Sequence, residues 1–423
     1  MKSPKHLQQF ITGSAFVLLG NFIIGFLNYF TRRAMAEQLS VVDYGSFYAA
    51  FSLFAIITSF LDMGLGHAGT VFVAEQKERI RETFSLLFLL KSFIGISFGC
   101  FIFIFRKSIA LHYLSGDVSD MIGLFGLYVC LVTINSVFHA YFFGKKLFAA
   151  NSIFLCSISA TILIGASLLI PRYQLSGAVS AYCIAYALFI PIQLIYVFRH
   201  GHFFLSARIG GDLSYKLLSL IGVLAIISSI RTILFYIDSV MLTKMQGAEA
   251  TAVYNIALPV TQLVLSLLAL SSVFLPIAID FAKNKEYSRL KVYVHWAAVC
   301  TFLMMPFFVF FSICWGNFLI RIMFKASYVD SASVLLPYLL VGYLFANLAF
   351  FITQIFIAVK KMKILLATSL FVVALNITLN YIFISWYGVK GAAIATMVSY
   401  FVYSAVLYIA ILLYLKHNGE NNG

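Results

Sequence analysis

Arg231 is the first residue of this 423-residue chain to call for a chemical reason, because it lies where a charge is expensive. It stands sixteen residues beyond Tyr215 in an apolar run, about 24 Å along a helix at ~1.5 Å per residue. An arginine at the centre of a bilayer costs about 2.5–3.5 kcal/mol on the insertion scale, so it should face a cavity or a partner. Asp238 follows seven residues later on the same face, roughly 10 Å further along the axis and out of direct reach in a straight helix. A second polar stripe runs through the first apolar segment as Asn21, Gly25, Asn28 and Arg32, at steps of four, three and four. Asn255, Gln262 and Ser266 share one helical face, as do Asn135 and His139, and Asn376 and Asn380. Lys91 and Asp62 fall near the ends of their apolar runs, where a lysine can snorkel toward water. Such residues could bind a charged solute or pass an ion or proton; each uncharged one could equally be an interhelical hydrogen bond of about 0.6 kcal/mol.

The elements that carry these residues are set by composition. Hydrophobic residues make up 62% of the chain and charged residues 10%, far from a soluble domain, and the mean hydropathy is +0.98. The apolar residues come in uncharged runs of the length a bilayer requires. The net charge of +14 is scattered over short loops and forms no stripe, which argues against nucleic acid. The six cysteines lie in apolar segments without CxxC spacing and read as membrane packing residues. The apolar run after Met1–Lys5 continues too far for a signal peptide and reads as a retained first helix.

Twelve spans are expected at 10–33, 43–66, 84–106, 120–143, 150–170, 176–198, 215–239, 251–279, 291–316, 331–358, 363–385 and 390–415. Segment 67–83, with Glu75, Lys77, Glu78, Arg79, Arg81 and Glu82, reads as a surface helix, and the loops near 107–119 and 317–330 as external connections. Lys and Arg divide 18 against 9 between the two sides, with Lys91 and Arg231 inside spans, so both termini are expected in the cytoplasm. Trp315, Trp386 and Trp296 fall at span ends, where aromatic belts form.

The two halves repeat one another. Tyr173–Ala178 aligns with Tyr387–Ala392, and Tyr186 with Tyr400, at an offset of 214. Lys145-Lys146 aligns with Lys360-Lys361, and His139 with Gln354 at an offset of 215. Asp43 and Tyr48 align with Glu249 and Tyr254 at an offset of 206, which also sets Arg32 opposite Asp238 and Gly25 opposite Arg231. An even number of spans returns the chain to its starting side, so this is a parallel duplication, an architecture of transporters whose path lies between the halves. The fold expected is all-α integral membrane, about twelve transmembrane helices in two pseudo-symmetric six-helix bundles. The lobes are expected at 1–198 and 215–415, with a cytoplasmic linker at 199–214 and a tail at 416–423.

Three motifs are set aside. Gly64–Gly69 matches GxGxxG but lacks the strand before it that a dinucleotide site needs. Asn376-Ile377-Thr378 is a glycosylation sequon inside a span, and Gly95 with Gly99 is a GxxxG packing pair. A membrane enzyme such as a glycan polymerase needs paired acids or a metal site on a substantial loop, and the external loops carry Asp117 and Asp330 singly.

Val42-Asp43-Tyr44-Gly45-Ser46-Phe47-Tyr48, then Phe60-Leu61-Asp62-Met63-Gly64-Leu65-Gly66, and Gly391-Ala392-Ala393 before the last span carry a family resemblance. Over essentially its whole length the chain resembles the polysaccharide flippases of the multidrug/oligosaccharidyl-lipid/polysaccharide exporter (MOP) superfamily. The resemblance implies a MATE-like pair of lobes in a bacterial inner membrane, no catalysis and no cofactor beyond a coupling H+ or Na+. It implies transport of a polyprenyl-diphosphate-linked oligosaccharide by alternating access, for O-antigen-like surface polysaccharide, alongside other assembly proteins. It also implies a cationic cavity. Arg231, Arg32 and Lys91 are the candidates to line it, with Asn21, Asn28, His139, Gln262 and Asn255 as polar contacts. The planar fork of an arginine suits a diphosphate. Asp238 and Asp62 are the candidates for gating or ion coupling. A cation-coupled multidrug antiporter of the same superfamily is the alternative.

Overall fold

The computed structural model describes the backbone at 4–62, 64–75, 79–114, 118–201, 206, 211–267, 271–324 and 328–420, and side chains at most of these positions. Among the described residues there is no β-strand. The described residues form fifteen helices in order: α1 Pro4–Gln38, α2 Val41–Asp62, α3 Leu65–Glu75, α4 Ile80–Ile104, α5 Arg106–Tyr113, α6 Ser119–Gly144, α7 Phe148–Gly201, α8 Gly211–Gln246, α9 Ala248–Leu267, α10 Ser271–Lys283, α11 Tyr287–Met323, α12 Val329–Ser333, α13 Leu336–Ala358, α14 Met362–Tyr387 and α15 Val389–Glu420. Eight helices among the described residues are long and apolar enough to cross a bilayer. The twelve expected spans fall on α1, α2, α4, α6, the two parts of α7, α8, α9 with α10, α11, α13, α14 and α15. Residues 1–236 and 237–423 form two compact units.

The duplication is visible in the backbone. α1 to α6 and the two parts of α7 recur in order as α8 to α15, so that short α3 and α5 are matched by short α10 and α12. α7 is broken at Gln174, with φ 50° and ψ −128°; its counterpart Gly388, between α14 and α15, has φ 57° and ψ −134°. A Cβ on Gly391 would meet the Phe383 carbonyl oxygen at 1.9 Å, and one on Gly177 the Leu169 carbonyl oxygen at 2.4 Å, at the same offset of 214. Lys146 and Lys360 share a left-handed φ of 60° and 58°.

Several local features have direct causes. Ser40 caps α2: its Oγ accepts the Asp43 N–H at 3.1 Å and donates to Asp43 Oδ2 at 2.7 Å, which explains the Asp of the Val42–Tyr48 tract. The GxxxG pair packs as expected, since a Cβ on Gly99 would meet the Gly126 carbonyl oxygen at 2.7 Å and one on Gly126 the Gly99 carbonyl oxygen at 2.6 Å. α4 and α6 therefore touch backbone to backbone. Large apolar side chains stay exposed along α11, among them Phe302, Leu303, Phe307, Phe310 and Ile313, as a lipid-facing surface requires. Trp296, Trp315 and Trp386 are exposed as well.

Some expectations are corrected. Segment 67–83 is not a surface helix: Leu65, Ala68, Phe72 and Val73 of α3 are buried against Phe84, Phe138 and Tyr141, because their spacing forms an apolar stripe. Lys77 and Glu78 of that segment, like Asp117, lie outside the described residues. Expected span 251–279 is shared by two helices, α9 and α10. The connection expected at 107–119 begins in the short helix α5, and the one expected at 317–330 is taken up by the end of α11 and the start of the short helix α12. Gly64, with φ 73°, turns the chain from α2 into α3, so GxGxxG follows a helix and the dinucleotide reading fails. Asn376 is buried and donates to Ser399 Oγ at 3.1 Å, out of reach of a glycosyl group.

Candidate functional site: opposite charges at equivalent positions of the repeat

In the C-terminal unit α8 carries Asp238 into the interior, 2% exposed. Its Oδ2 accepts the Tyr254 hydroxyl at 2.6 Å and the Thr396 hydroxyl at 2.5 Å, and its Oδ1 accepts Asn380 Nδ2 at 2.6 Å. Asn380 Nδ2 also reaches Asn376 Oδ1 at 3.1 Å, while its own Oδ1 is buried without a partner. The geometry follows from helical spacing, with Asn376 and Asn380 one turn apart on α14 and Thr396 and Ser399 on α15. All three groups bonded to Asp238 are neutral donors. These dipoles stabilise the carboxylate without cancelling its charge. Among the described residues no three His, Cys, Asp or Glu cluster as divalent-metal ligands would.

The repeat sets different chemistry at the equivalent positions of the N-terminal unit. Asp238, Tyr254, Asn380 and Thr396 correspond to Arg32, Tyr48, Ala166 and Tyr182 at the offsets of 206 and 214. The Arg32 guanidinium lies 4.5 Å from the Tyr48 ring centroid, a cation–π contact. Tyr48 packs on Tyr44 with centroids 4.7 Å apart. Tyr182, Tyr128, Tyr186, Phe51 and Tyr236 continue the aromatic nest, each ring within 5.8–6.1 Å of the next. One half thus presents a carboxylate among amides and hydroxyls, the other a guanidinium among tyrosines.

A third cluster lies in the N-terminal unit. Lys91, from the middle of α4, is 1% exposed. Its Nζ donates to Asp62 Oδ1 and, at 2.6 Å, to Ser136 Oγ of α6. Asp62 Oδ2 accepts the Gly66 N–H at 3.2 Å, at the first turn of α3. Lys91 does not snorkel, then; its charge is held inside by an ion pair.

The remaining candidates separate. Asn21 and Asn28 are exposed on α1, and Gly25 between them has open space before its missing Cβ. The opposite face of α1 is the packed one, where Ser152 Oγ of α7 donates to the Phe16 carbonyl at 3.1 Å. Arg231 is exposed. His139 is exposed, with Nδ1 2.8 Å from Asn151 Oδ1, whereas Asn135, expected on the same face, is buried and accepts Gln193 Nε2 at 2.8 Å. Asn255 is buried and donates to Ser239 Oγ and to the Thr251 carbonyl, both at 3.0 Å. Gln262 Nε2 is buried without a partner, and the Ser266 side chain is outside the described set. The tyrosine nest was missed at the sequence level; the offset of 214, which pairs Tyr182 with Thr396, was the signal that could have found it.

The family model for "Polysaccharide biosynthesis protein" matches residues 10–282, and the MatE model matches residues 224–382. The uncharacterized membrane protein MJ1068 of Methanocaldococcus jannaschii is 21% identical, covering 93% of this chain and 82% of its own. Among solved structures, an inward-facing multidrug resistance MATE family transporter of the MOP superfamily superposes with a TM-score of 0.80 at 12% identity, over 94% of this chain and 96% of that one. The lipid II flippase MurJ, in its inward closed conformation, superposes with a TM-score of 0.78 at 18% identity, over 95% and 87%.

Proposed function

Because this chain belongs to the polysaccharide biosynthesis protein family and is a multi-pass membrane transporter with the MATE-like MOP fold, we propose that it flips a polyprenyl-diphosphate-linked oligosaccharide. The movement runs from the cytoplasmic to the periplasmic leaflet of a bacterial inner membrane by alternating access, and supplies an O-antigen-like surface polysaccharide. Both termini are cytoplasmic in this reading. The observation that carries it is the reversal of charge between Arg32 and Asp238 at equivalent positions. An anionic lipid-linked sugar suits the half that offers a guanidinium for phosphate and tyrosine rings for sugar faces. The neighbouring exposed Asn21 and Asn28 extend that surface along α1. Arg231, also exposed, is a further contact for the diphosphate, and His139 and Gln262 are further polar contacts. Asn255, committed to Ser239 and Thr251, acts by positioning α9 against α8.

The half with Asp238 suits the coupling cation, H+ or Na+. Asp238 provides the charge, and Asn376, Asn380 and Thr396 provide neutral oxygens. Asp62 then has a structural partner in Lys91 and is set aside as the coupling group.

The test is deletion of the gene followed by analysis of surface glycan and of lipid-linked oligosaccharide in the cell. Loss of surface glycan with single repeat units accumulating on the cytoplasmic leaflet is the expected result. Unchanged glycan with altered sensitivity to cationic drugs moves the protein to the antiporter reading, which the MatE match over residues 224–382 favours. Exported single units that fail to polymerise would point to a polymerase instead.

A further inference from the structure

The polar cluster at Lys91 opens onto a cavity of about 290 Å³ inside the N-terminal unit, lined by Ala55, Thr58, Ser59, Asp62, Ser136 and Thr232 together with Val132 and Thr133. Its hydrogen bonds fix what it can receive. Thr58 Oγ1 donates to the Ala55 carbonyl at 2.9 Å, Ser59 Oγ to that of Ile56 at 2.8 Å, Thr133 Oγ1 to that of Val129 at 2.7 Å and Ser136 Oγ to that of Thr133 at 2.7 Å. These four hydroxyls turn their protons back onto their own helices, so lone pairs are what they offer the cavity. Asp62 accepts Lys91 and the Gly66 N–H, and keeps acceptor capacity on the side that remains 27% exposed. These four hydroxyls and Asp62 therefore face the cavity as acceptors, which suits an occupant that donates.

Charge decides between donors. Lys91 already neutralises Asp62 inside the same cluster, so a second cation would enter against a buried ammonium with no net negative charge to attract it. A neutral polyol meets no such cost. The volume is that of about ten waters at ~30 Å³ each, which suits a single monosaccharide ring. Ala55 and Val132 give the C–H face of such a ring an apolar wall.

We infer that the cavity between α2 and α6, beside the Lys91–Asp62 pair, is a subsite for one sugar ring, held by hydroxyl donation to Thr58, Ser59, Ser136 and Asp62. The inference rests on the flippase reading and gives that reading a sugar-selective element separate from the phosphate contacts. Lys91 is a positioning residue here, since it orients Asp62 and Ser136 and leaves their outward lone pairs free.

The test uses the full chain in lipid nanodiscs and native mass spectrometry. The probes are undecaprenyl diphosphate without sugar and the same lipid carrying one glucose, galactose, N-acetylglucosamine or rhamnose. At least one sugar should tighten binding about tenfold over the bare lipid, the effect of one or two net hydrogen bonds. Thr58→Val with Ser136→Ala, which remove acceptors at nearly constant volume, should cut that gain to within about twofold of the bare lipid and leave bare-lipid binding unchanged. A gain that survives both substitutions overturns the subsite and leaves the flippase reading intact. Binding of the bare lipid with no gain from any sugar overturns the subsite likewise. Failure of every lipid to bind overturns the flippase reading and the subsite with it. Ser59→Ala serves as a second variant should the double substitution fail to fold, with the same expected loss of gain.

Discussion

The Lys91–Asp62 pair should show an asymmetric response to losing one partner. Lys91 is 1% exposed and Asp62 27% exposed. Asp62→Asn leaves a lysine enclosed by protein with neutral acceptors alone, Ser136 Oγ and an amide oxygen, and breaking a buried ion pair in this way costs about 3–5 kcal/mol. Lys91→Met leaves a carboxylate that keeps the Gly66 N–H and reaches solvent, so its cost is nearer the loss of one charged hydrogen bond, about 1.5–3 kcal/mol. Methionine also keeps the stem packed. Replacing both partners removes the stranded charge, so the double variant should be more stable than Asp62→Asn alone by about 2 kcal/mol and should fall about 3.5–5 kcal/mol short of the sum of the two single losses, a larger coupling than most residues in contact show because a stranded buried charge is relieved. The assay is reversible unfolding of the detergent-solubilised protein in increasing SDS, followed by far-UV circular dichroism. Equal losses in the two single variants, or a double variant at the sum of both, would refute the reasoning and imply that the pair is solvated in the membrane.

Three further outcomes follow from the geometry. Asp238→Asn should lower glycan export at least tenfold at normal abundance in a complementation assay, because an amide keeps the shape but not the charge that a coupling cation needs; wild-type export in that variant would remove Asp238 from coupling. Gly99→Leu should disrupt the α4–α6 contact, where a Cβ already meets the Gly126 carbonyl oxygen at 2.7 Å, and cost about 1–3 kcal/mol or more, read as lost monodisperse protein on size exclusion. Gln174→Gly should stabilise by about 1 kcal/mol, since Gln174 holds φ 50° and ψ −128°, while Gly388→Ala in the matching backbone position should destabilise by about 1–3 kcal/mol; both are read as shifts in the unfolding midpoint.

The fold was largely legible because lipid allows so few solutions. A backbone in hydrocarbon must satisfy its own hydrogen bonds, so uninterrupted apolar runs become helices and their positions can be read directly. Legibility failed where length or composition gave no such constraint. α5 and α12 are too short to announce themselves, and the charges at 75–82 masked the apolar stripe of α3. At the site, the offset of 206 set Arg32 opposite Asp238 and Tyr48 opposite Tyr254, and the structure brings Arg32 onto Tyr48 in one half and Asp238 onto Tyr254 in the other. The rest of each cluster comes from helices that align at 214 instead, and no periodicity links the two registers, so Asn380 and Thr396 could not be assigned to Asp238 beforehand. Lys91 and Asp62 are 29 residues apart on helices whose rotation no sequence pattern fixes. The tyrosines of the nest could not be gathered into one site for the same reason: which way a tyrosine turns is a property of packing.

Equivalent positions with opposite charge constrain how the two halves can be linked. A ligand shifts a conformational equilibrium only by its difference in affinity between states, and coupling between two ligands is reciprocal. A carrier with the same site in both halves would offer one ligand two equal places, and the halves would compete. Here the guanidinium of one half and the carboxylate of the other favour occupants of opposite charge, so in the proposed flippase reading an anionic cargo and a coupling cation would have separate addresses. The groups around Asp238 are suited to a change of occupant without rebuilding the backbone. The hydroxyls of Tyr254 and Thr396 donate to the bare carboxylate and can rotate to present lone pairs to a cation, and the Asn380 amide carries a donor on one side and an unpartnered acceptor on the other. These three residues belong to α9, α15 and α14, so a reorientation at one carboxylate is felt by three helices at once. In the tyrosine nest Phe51, Tyr128, Tyr182 and Tyr186 pack on one another with ring centroids 5.8–5.9 Å apart. Under the proposed roles, variants of Asp238 and its donors should change rate and coupling, and variants of Arg32 and its tyrosines should change affinity for cargo.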